Sequence, residues 1–353
     1  MRYESLQIYD KAKYGNLKLL IYTDGKEFYF VPRFRGEEAE KTPEGLREIL
    51  SLYSAERIRS ERGNIFQFVG DVPEGFENYE FYGESTNAVC FFDDMVLKSY
   101  RRIGSREPEM IMKLKGIAPP LIAYAKYNEK YIQIITSRID GKDVGEIFYQ
   151  NYLKFKDSGE IDEDIFNLMD KIVRTVMRMH GILAESKEEI GEDDVRRWRN
   201  TVRKFALNAG INIDTSRLFN GMVGKEKITT HQDLHLSQMV ISGDRIYIMD
   251  FEGEPLRENR EEKFPEIRDF STLARSFGYI TRGSCDLWER RMVENLYALY
   301  AKGKGYFTLR DYYEWMLEKA LYEINYEMQF RPKMEYIPRR GVECILKILE
   351  VVE

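Results

Sequence analysis

The sequence is short of histidine and cysteine, with three of each in 353 residues. Cys90, Cys285 and Cys344 stand far apart in an odd number and outside any metal-ligand spacing. That usage predicts buried thiols in a reducing compartment. No run reaches the roughly 18 apolar residues of a membrane span, and the first twenty residues carry Glu4, Asp10 and four basic groups without an apolar core. A cytoplasmic protein with no membrane partner is therefore expected. Charge of one sign is not in excess: 54 basic against 60 acidic residues are interspersed, net −6, and without a basic stripe no nucleic-acid partner is expected. Internal repeats and low-complexity segments are missing too. What is present is an ordinary apolar fraction of 43% and a generous aromatic fraction of 13%, in a chain longer than one core usually supports. The partner such a surface suits is a small molecule.

The informative stretch is His231-Gln232-Asp233-Leu234-His235-Leu236-Ser237-Gln238, with Asp250-Phe251-Glu252-Gly253-Glu254-Pro255 after it. Between them, Met239–Ile241 and Ile246–Met249 flank Ser242-Gly243-Asp244, the pattern of a tight hairpin. A hairpin returns the chain on itself, so Asp233, Gln238 and Asp250 should converge. That places one carboxylate to take a hydroxyl proton beside an amide and a second carboxylate able to hold a hard cation. The register matches kinase catalytic loops of the form H-x-D-x-x-x-x-N followed by a metal-binding aspartate, with Gln238 for the asparagine. A rival reading takes His231, Asp233 and His235 as alternating zinc ligands, which leaves only His180 and carboxylates to finish the site. A plain core hairpin would bury several ionisable groups without a role, which is costly.

Upstream, residues 17–33 read as a hairpin around Asp24-Gly25, and Pro43 opens a helix expected over 43–61. From residue 78 strands follow one another through Ala88–Phe92 and Met95–Tyr100. Lys98, a cation in an apolar strand, is the candidate for contacting nucleotide phosphates, and Glu109, on a helix starting near Ser105, the candidate for orienting it by ion pairing. Ser85, Thr86 and Asn87 form the candidate phosphate-covering loop. Thr136 and Arg138, where the strand Tyr131–Ile135 leaves this region, are placed to meet the base. Residues 161–186 carry a long amphipathic helix holding His180, read as a core histidine. Near the C-terminus Lys319, Tyr322, Glu323, Tyr326 and Glu327 share one helical face. Tyrosine faces stack on sugar C–H surfaces and carboxylates accept hydroxyl hydrogens, so this stripe suits a polyhydroxylated ligand; it equally fits a solvated face of i,i+4 pairs.

Taken together, the loop His231–Gln238, the Asp250–Pro255 element, Lys98 with Arg101-Arg102, Arg268-Asp269 through Ser276-Phe277, Glu318–Glu323, Tyr326-Glu327 and Arg331-Pro332 resemble the maltokinase-like kinases. That family includes actinobacterial glucosamine kinases and is related to the aminoglycoside phosphotransferases. The resemblance runs from about residue 80 onward, with Gln232 and Ser237 where the family has glycines and Lys333-Met334 where it has a tryptophan. It implies an α+β, two-lobed protein-kinase-like fold: an N-terminal cap over 1–77, a nucleotide lobe over 78–138 and a mainly helical lobe over 139–353. It further implies an ATP- and Mg2+-dependent sugar kinase, monomeric or homodimeric, with Asp233 as base, Gln238 and Asp250 on the metal, and Lys98 and Glu109 on ATP. His235, Glu252, Lys319, Tyr322, Glu323 and Tyr326 are then the sugar-contacting candidates. The alternative is a catalytically weak module that senses nucleotide or sugar.

Overall fold

The computed structural model describes residues 6–83, 86–257, 259–304 and 306–352, and the chain divides into two compact units, Met1–Asp140 and Gly141–Glu353.

The first unit opens on an antiparallel sheet of β1 (Gln7–Tyr14), β2 (Leu17–Thr23), β3 (Phe28–Phe34) and β4 (Glu37–Glu38). The β2–β3 turn is set by Asp24, whose Oδ1 accepts the N–H groups of Lys26 and Glu27 at 2.9 and 2.8 Å, and by Gly25 at φ +91°. Helix α1 (Pro43–Ala55) starts where Thr42 accepts the Gly45 N–H at 3.1 Å and Pro43 fills the first turn. It stops six residues before the expected end, at Glu56 with φ +58°. Arg57–Arg59 then becomes strand β5, because pairing with β6 (Ile65–Gly70) satisfies its backbone.

Those two strands join β7 (Tyr79–Tyr82), β8 (Ala88–Phe92), β9 (Met95–Ser99), β10 (Leu121–Tyr127) and β11 (Lys130–Ser137) in one sheet of order β5-β6-β10-β11-β9-β8-β7. Short helix α2 (Glu107–Lys113) follows β9. Leu19, Ile21 and Phe30 of the first sheet, Leu46 and Ile49 of α1, and Phe66, Phe92, Leu97 and Ile135 of the second pack in one apolar cluster. The line read from sequence at 77/78 therefore passes between strands of a single sheet.

The second unit is mainly helical: α3 (Val144–Ser158), α4 (Asp164–Leu183), α5 (Glu192–Asn208), α6 (Ile267–Ile280), α7 (Leu287–Lys304), α8 (Leu309–Phe330) and α9 (Tyr336–Leu349). Strands β12 (Lys142–Asp143), β15 (Met239–Ser242) and β16 (Arg245–Ile248) form a small sheet, and β13 (Glu188–Glu189) pairs with β14 (Glu226–Lys227). Helix α8 packs on α5, α6 and α9 and is buried along nearly its whole length.

One expectation is overturned here. Cys285 and Cys344 are not separate buried thiols but a disulfide across 59 residues of sequence. The turn after α6 and the helix α9 are neighbours only in the folded chain, which brings the two Cα atoms to 6.7 Å. Cys90 is the buried free cysteine. Among the described residues no helix is long and apolar enough to cross a membrane.

Candidate active site

The expected hairpin is formed by β15 and β16, with Met239 opposite Ile248 and Gly243 at φ +57° in the turn. Its return places the Met249 N–H on the Gln238 carbonyl at 2.9 Å and the Gln238 side-chain nitrogen 3.1 Å from Asp250 Oδ2. The same nitrogen lies 3.0 Å from His235 Nε2. Because the terminal torsion of a glutamine is roughly two-fold, turning the amide brings its oxygen to the place of the nitrogen. An amide oxygen and a carboxylate oxygen then stand side by side, a donor pair that fits a hard cation such as magnesium.

The loop His231–Gln238 is fixed from beneath by Asp269 in the first turn of α6. Its two oxygens accept the N–H groups of His231 and Gln232 at 2.8 and 2.9 Å, while His180 Nε2 lies 2.9 Å from Oδ2. Burial opposes the charge on Asp269, but the His180 hydrogen bond and the loop contacts hold its carboxyl below the usual range. His231 donates through Nε2 to the Met249 carbonyl at 2.9 Å, and burial lowers its pKa, so it is a neutral strut. Against the zinc reading, His231, Asp233 and His235 are not among the described His, Cys, Asp and Glu groups whose ligand atoms lie close enough together to share one metal ion. Two residues of this loop system sit in left-handed backbone without being glycine, Gln232 at φ +73° and Asp250 at φ +61°. Gln232 also donates from its side chain to the carbonyls of Arg260 and Glu262 at 2.8 and 2.9 Å.

Asp233 faces a cleft of about 460 Å³, lined also by His235, Lys319, Tyr322, Glu323 and Tyr326. The helical spacing of the last four puts them on one side of α8, as their period requires. The Lys319 ammonium bridges Asp233 Oδ1 at 2.7 Å and Glu254 Oε1 at 2.8 Å, and lies 4.6 Å from the centre of the Tyr322 ring. Burial works against all three charges. For Asp233 the Lys319 ammonium outweighs it and holds the carboxyl below the ordinary range; for Lys319 the two carboxylates outweigh it and push the ammonium up. Glu254 is depressed despite its burial, by Arg257, Arg268 and Lys319. Arg268 Nη2 reaches Glu254 at 2.7 Å and Glu318 at 3.2 Å, and Arg257 pairs with the same two carboxylates. Glu323 behaves oppositely: burial lifts its carboxyl even though Arg275 Nε donates to it at 3.0 Å.

Glu252 is not among the described residues that line this cleft; it lies 3.7 Å from Arg260. Tyr149 and Tyr279 line the cleft without having been singled out in the sequence, and Ser276 and Arg331, quoted there only for the resemblance and given no role, line it too. Of these, Ser276 accepts the Leu236 N–H at 3.1 Å and Tyr279 donates to Glu327 at 2.8 Å. The network Glu254–Arg257–Arg268–Glu318 was likewise missed. Its only sequence signal is an unusual density of charge in segments that otherwise read as core.

In the first unit, Lys98 is on β9, and the carboxylate that meets it is Glu107, at 2.8 Å, not Glu109. Tyr100 donates to the same Glu107 oxygen at 2.8 Å. Glu109 is exposed, because two helical positions rotate a side chain by about 200° to the opposite face. Thr86 is exposed, Asn87 Oδ1 accepts the Arg101 N–H at 3.0 Å, and Ser85 lies outside the described residues. Thr136 is buried on β11 opposite Val96, while Arg138 donates its N–H to the Asp94 carbonyl at 2.7 Å and places its guanidinium 5.0 Å from the Phe91 ring centre.

A unit of antiparallel sheets followed by a helical unit with this hairpin defines a kinase-like fold. No family model matches the sequence. Among solved structures, one of glucosamine kinase aligns with a TM-score of 0.77 at 16% identity, over 99% of this chain and 94% of that one. A second, of glucosamine kinase in complex with glucosamine, ADP and inorganic phosphate, aligns at TM-score 0.71 and 15% identity over the same shares. The likeness is one of fold, and it spans the chain from end to end.

Proposed function

We propose that the protein is an ATP- and magnesium-dependent sugar kinase. The observation that carries this reading is the placement of Asp233 on a cleft walled by Lys319, Tyr322, Glu323 and Tyr326, on the loop whose Gln238 lies beside Asp250. Asp233 orients the sugar hydroxyl and takes its proton as the γ-phosphoryl group leaves ATP. Gln238 and Asp250 would hold magnesium, which when bound would neutralise phosphate charge. Lys98, steadied by Glu107, pairs with the ATP phosphates, and Thr86, Asn87, Thr136 and Arg138 are the further nucleotide candidates. His235 and the α8 stripe hold the sugar, with the buried carboxylates accepting hydroxyl hydrogens and the tyrosine rings stacking on its C–H faces.

The reading keeps residues 1–77 as a cap, 78–138 as the nucleotide-binding region and 139–353 as the sugar-binding one. Two conversions are proposed: maltose to maltose 1-phosphate and glucosamine to glucosamine 6-phosphate. The fold likeness to glucosamine kinase supports testing the second first. A monomer or homodimer in the cytoplasm, where ATP is supplied, completes the proposal. The test is magnesium-dependent ADP release over a panel of sugars that includes both substrates. A second reading, a catalytically weak sensor of nucleotide or sugar, is favoured by one contact: Lys319 already holds the Asp233 carboxylate at 2.7 Å. ATP binding with silence from every sugar supports the sensor, and stoichiometric zinc in the purified protein would support neither.

A further inference from the structure

We infer that the Cys285–Cys344 disulfide is a redox-sensitive clamp that sets the sugar cleft through a positioning residue, Arg275. Arg275 is 2% exposed and its Nε donates to Glu323, which lines the cleft. Its guanidinium rests on bare backbone of α9. A Cβ added at Gly341 would come within 2.5 Å of Nη1 and 2.7 Å of Nη2, so no side chain separates the charge from that helix. Gly341 lies one helical turn before Cys344, on the same face. On the other flank, an added Cβ at Gly278 would meet Arg275 Nη1 at 3.1 Å and Glu289 Oε1 at 3.2 Å, which places the Glu289 carboxylate beside the guanidinium. Glu289 is itself held by the N–H of Cys285 at 3.0 Å. The disulfide thus ties together the two elements between which Arg275 is gripped.

A cavity of about 290 Å³, lined by Arg275, Cys285, Glu289, Gly341 and Cys344, gives α9 room to move once the bond opens. Both cysteines are only half-buried, the setting in which a disulfide exchanges with external thiols. A dithiol attacks one sulfur, the S–S bond breaks, two cysteine thiols form with two protons, and the reductant closes its own disulfide. With the bond open, α9 withdraws from Arg275, and the guanidinium loses its seat and its hold on Glu323.

The test compares oxidised protein with protein treated with dithiothreitol. Thiol titration of the denatured, unreduced chain should find one thiol, Cys90, and three after reduction; three without reductant overturns the inference. Amide hydrogen exchange over residues 316–327 should rise several-fold on reduction, with the first unit unchanged. An even rise throughout Gly141–Glu353, or no rise, overturns it as well. The kinetic arm rests on the sugar-kinase reading: KM for the sugar should rise about tenfold, the size of one weakened charge-assisted hydrogen bond, with KM for ATP unmoved. The Cys285→Ser/Cys344→Ser variant should show the reduced KM and ignore dithiothreitol; an oxidised-like KM in that variant overturns the clamp. If no sugar supports ADP release, the kinase reading fails while the exchange measurement still decides the clamp.

Discussion

Replacing Glu314 with glutamine is expected to change how stability depends on pH. Glu314 lies in α8 at 2% exposure, accepting the Phe219 N–H at 2.7 Å and Arg310 Nε at 3.1 Å. Burial pushes its carboxyl from 4.5 up to about 7, against the pull of those two donors. Because the folded value is the higher one, the folded protein holds this proton longer than the unfolded chain does. The stability linked to Glu314 is therefore fully present below pH 4.5 and is lost as pH rises through about 7. At about 1.4 kcal/mol for each tenfold, the gap corresponds to about 3 kcal/mol. Other carboxylates run the opposite way: Asp233, Glu254 and Asp269 are depressed and add stability that is lost in acid, so the wild-type profile alone mixes the two. The difference between wild type and Glu314→Gln isolates the one group. Urea unfolding at a series of pH values from about 4.5 to 8 should show the variant gaining on the wild type by about 3 kcal/mol across that window. A difference that stays level to within about 0.5 kcal/mol would refute the assignment of the proton to Glu314.

Three further outcomes are expected. Asp233→Asn should cut sugar-dependent ADP release by about 10²- to 10⁴-fold while ATP binding is retained, and near-normal turnover would remove Asp233 from the chemistry. Lys319→Met leaves the Asp233 carboxylate without its ammonium partner, while Glu254 keeps Arg257 and Arg268, and should cost about 3–5 kcal/mol of unfolding free energy; a loss under about 1 kcal/mol would mean the Asp233 carboxylate is solvated in solution. Glu107→Gln should raise KM for ATP by about tenfold whereas Glu109→Gln stays within about twofold, and equal effects would restore Glu109 as the partner of Lys98.

What could be read in the sequence follows the range of the interactions. The hairpin and the approach of Gln238 to Asp250 were legible because strand, turn and strand are contiguous and their geometry is local. The stripe from Lys319 to Tyr326 was legible because a helix repeats with a fixed period. The partner of Lys98 was misplaced by two residues because Glu107 and Glu109 both stand in the first turn of α2, and which of the two meets the strand is set by how the helix packs, not by where it starts. Arg57–Arg59 was read as helix since its charged residues lack strand character; only the presence of β6 makes it a strand. The disulfide joins segments far apart in the chain, and so do the contacts of Glu254 and Arg257 with Arg268 and Glu318, which leaves only the Glu254–Arg257 step visible in local spacing.

Gln232 shows how a strained position can become difficult to revise. Its left-handed backbone costs about 1–3 kcal/mol, and glycine would relieve that at once. Yet its side chain ties the catalytic loop to the carbonyls of Arg260 and Glu262, bonds worth roughly 0.5–1.5 kcal/mol each. Gains and losses nearly cancel, so Gln232→Gly should leave global stability almost untouched while untethering Arg260 and Glu262 from the loop that carries Asp233. A comparison of melting temperatures would therefore score the substitution as silent. Its effect would surface only in the motion of the segment beside the catalytic loop, which makes this the position where sequence drift can alter turnover without leaving a mark on folding.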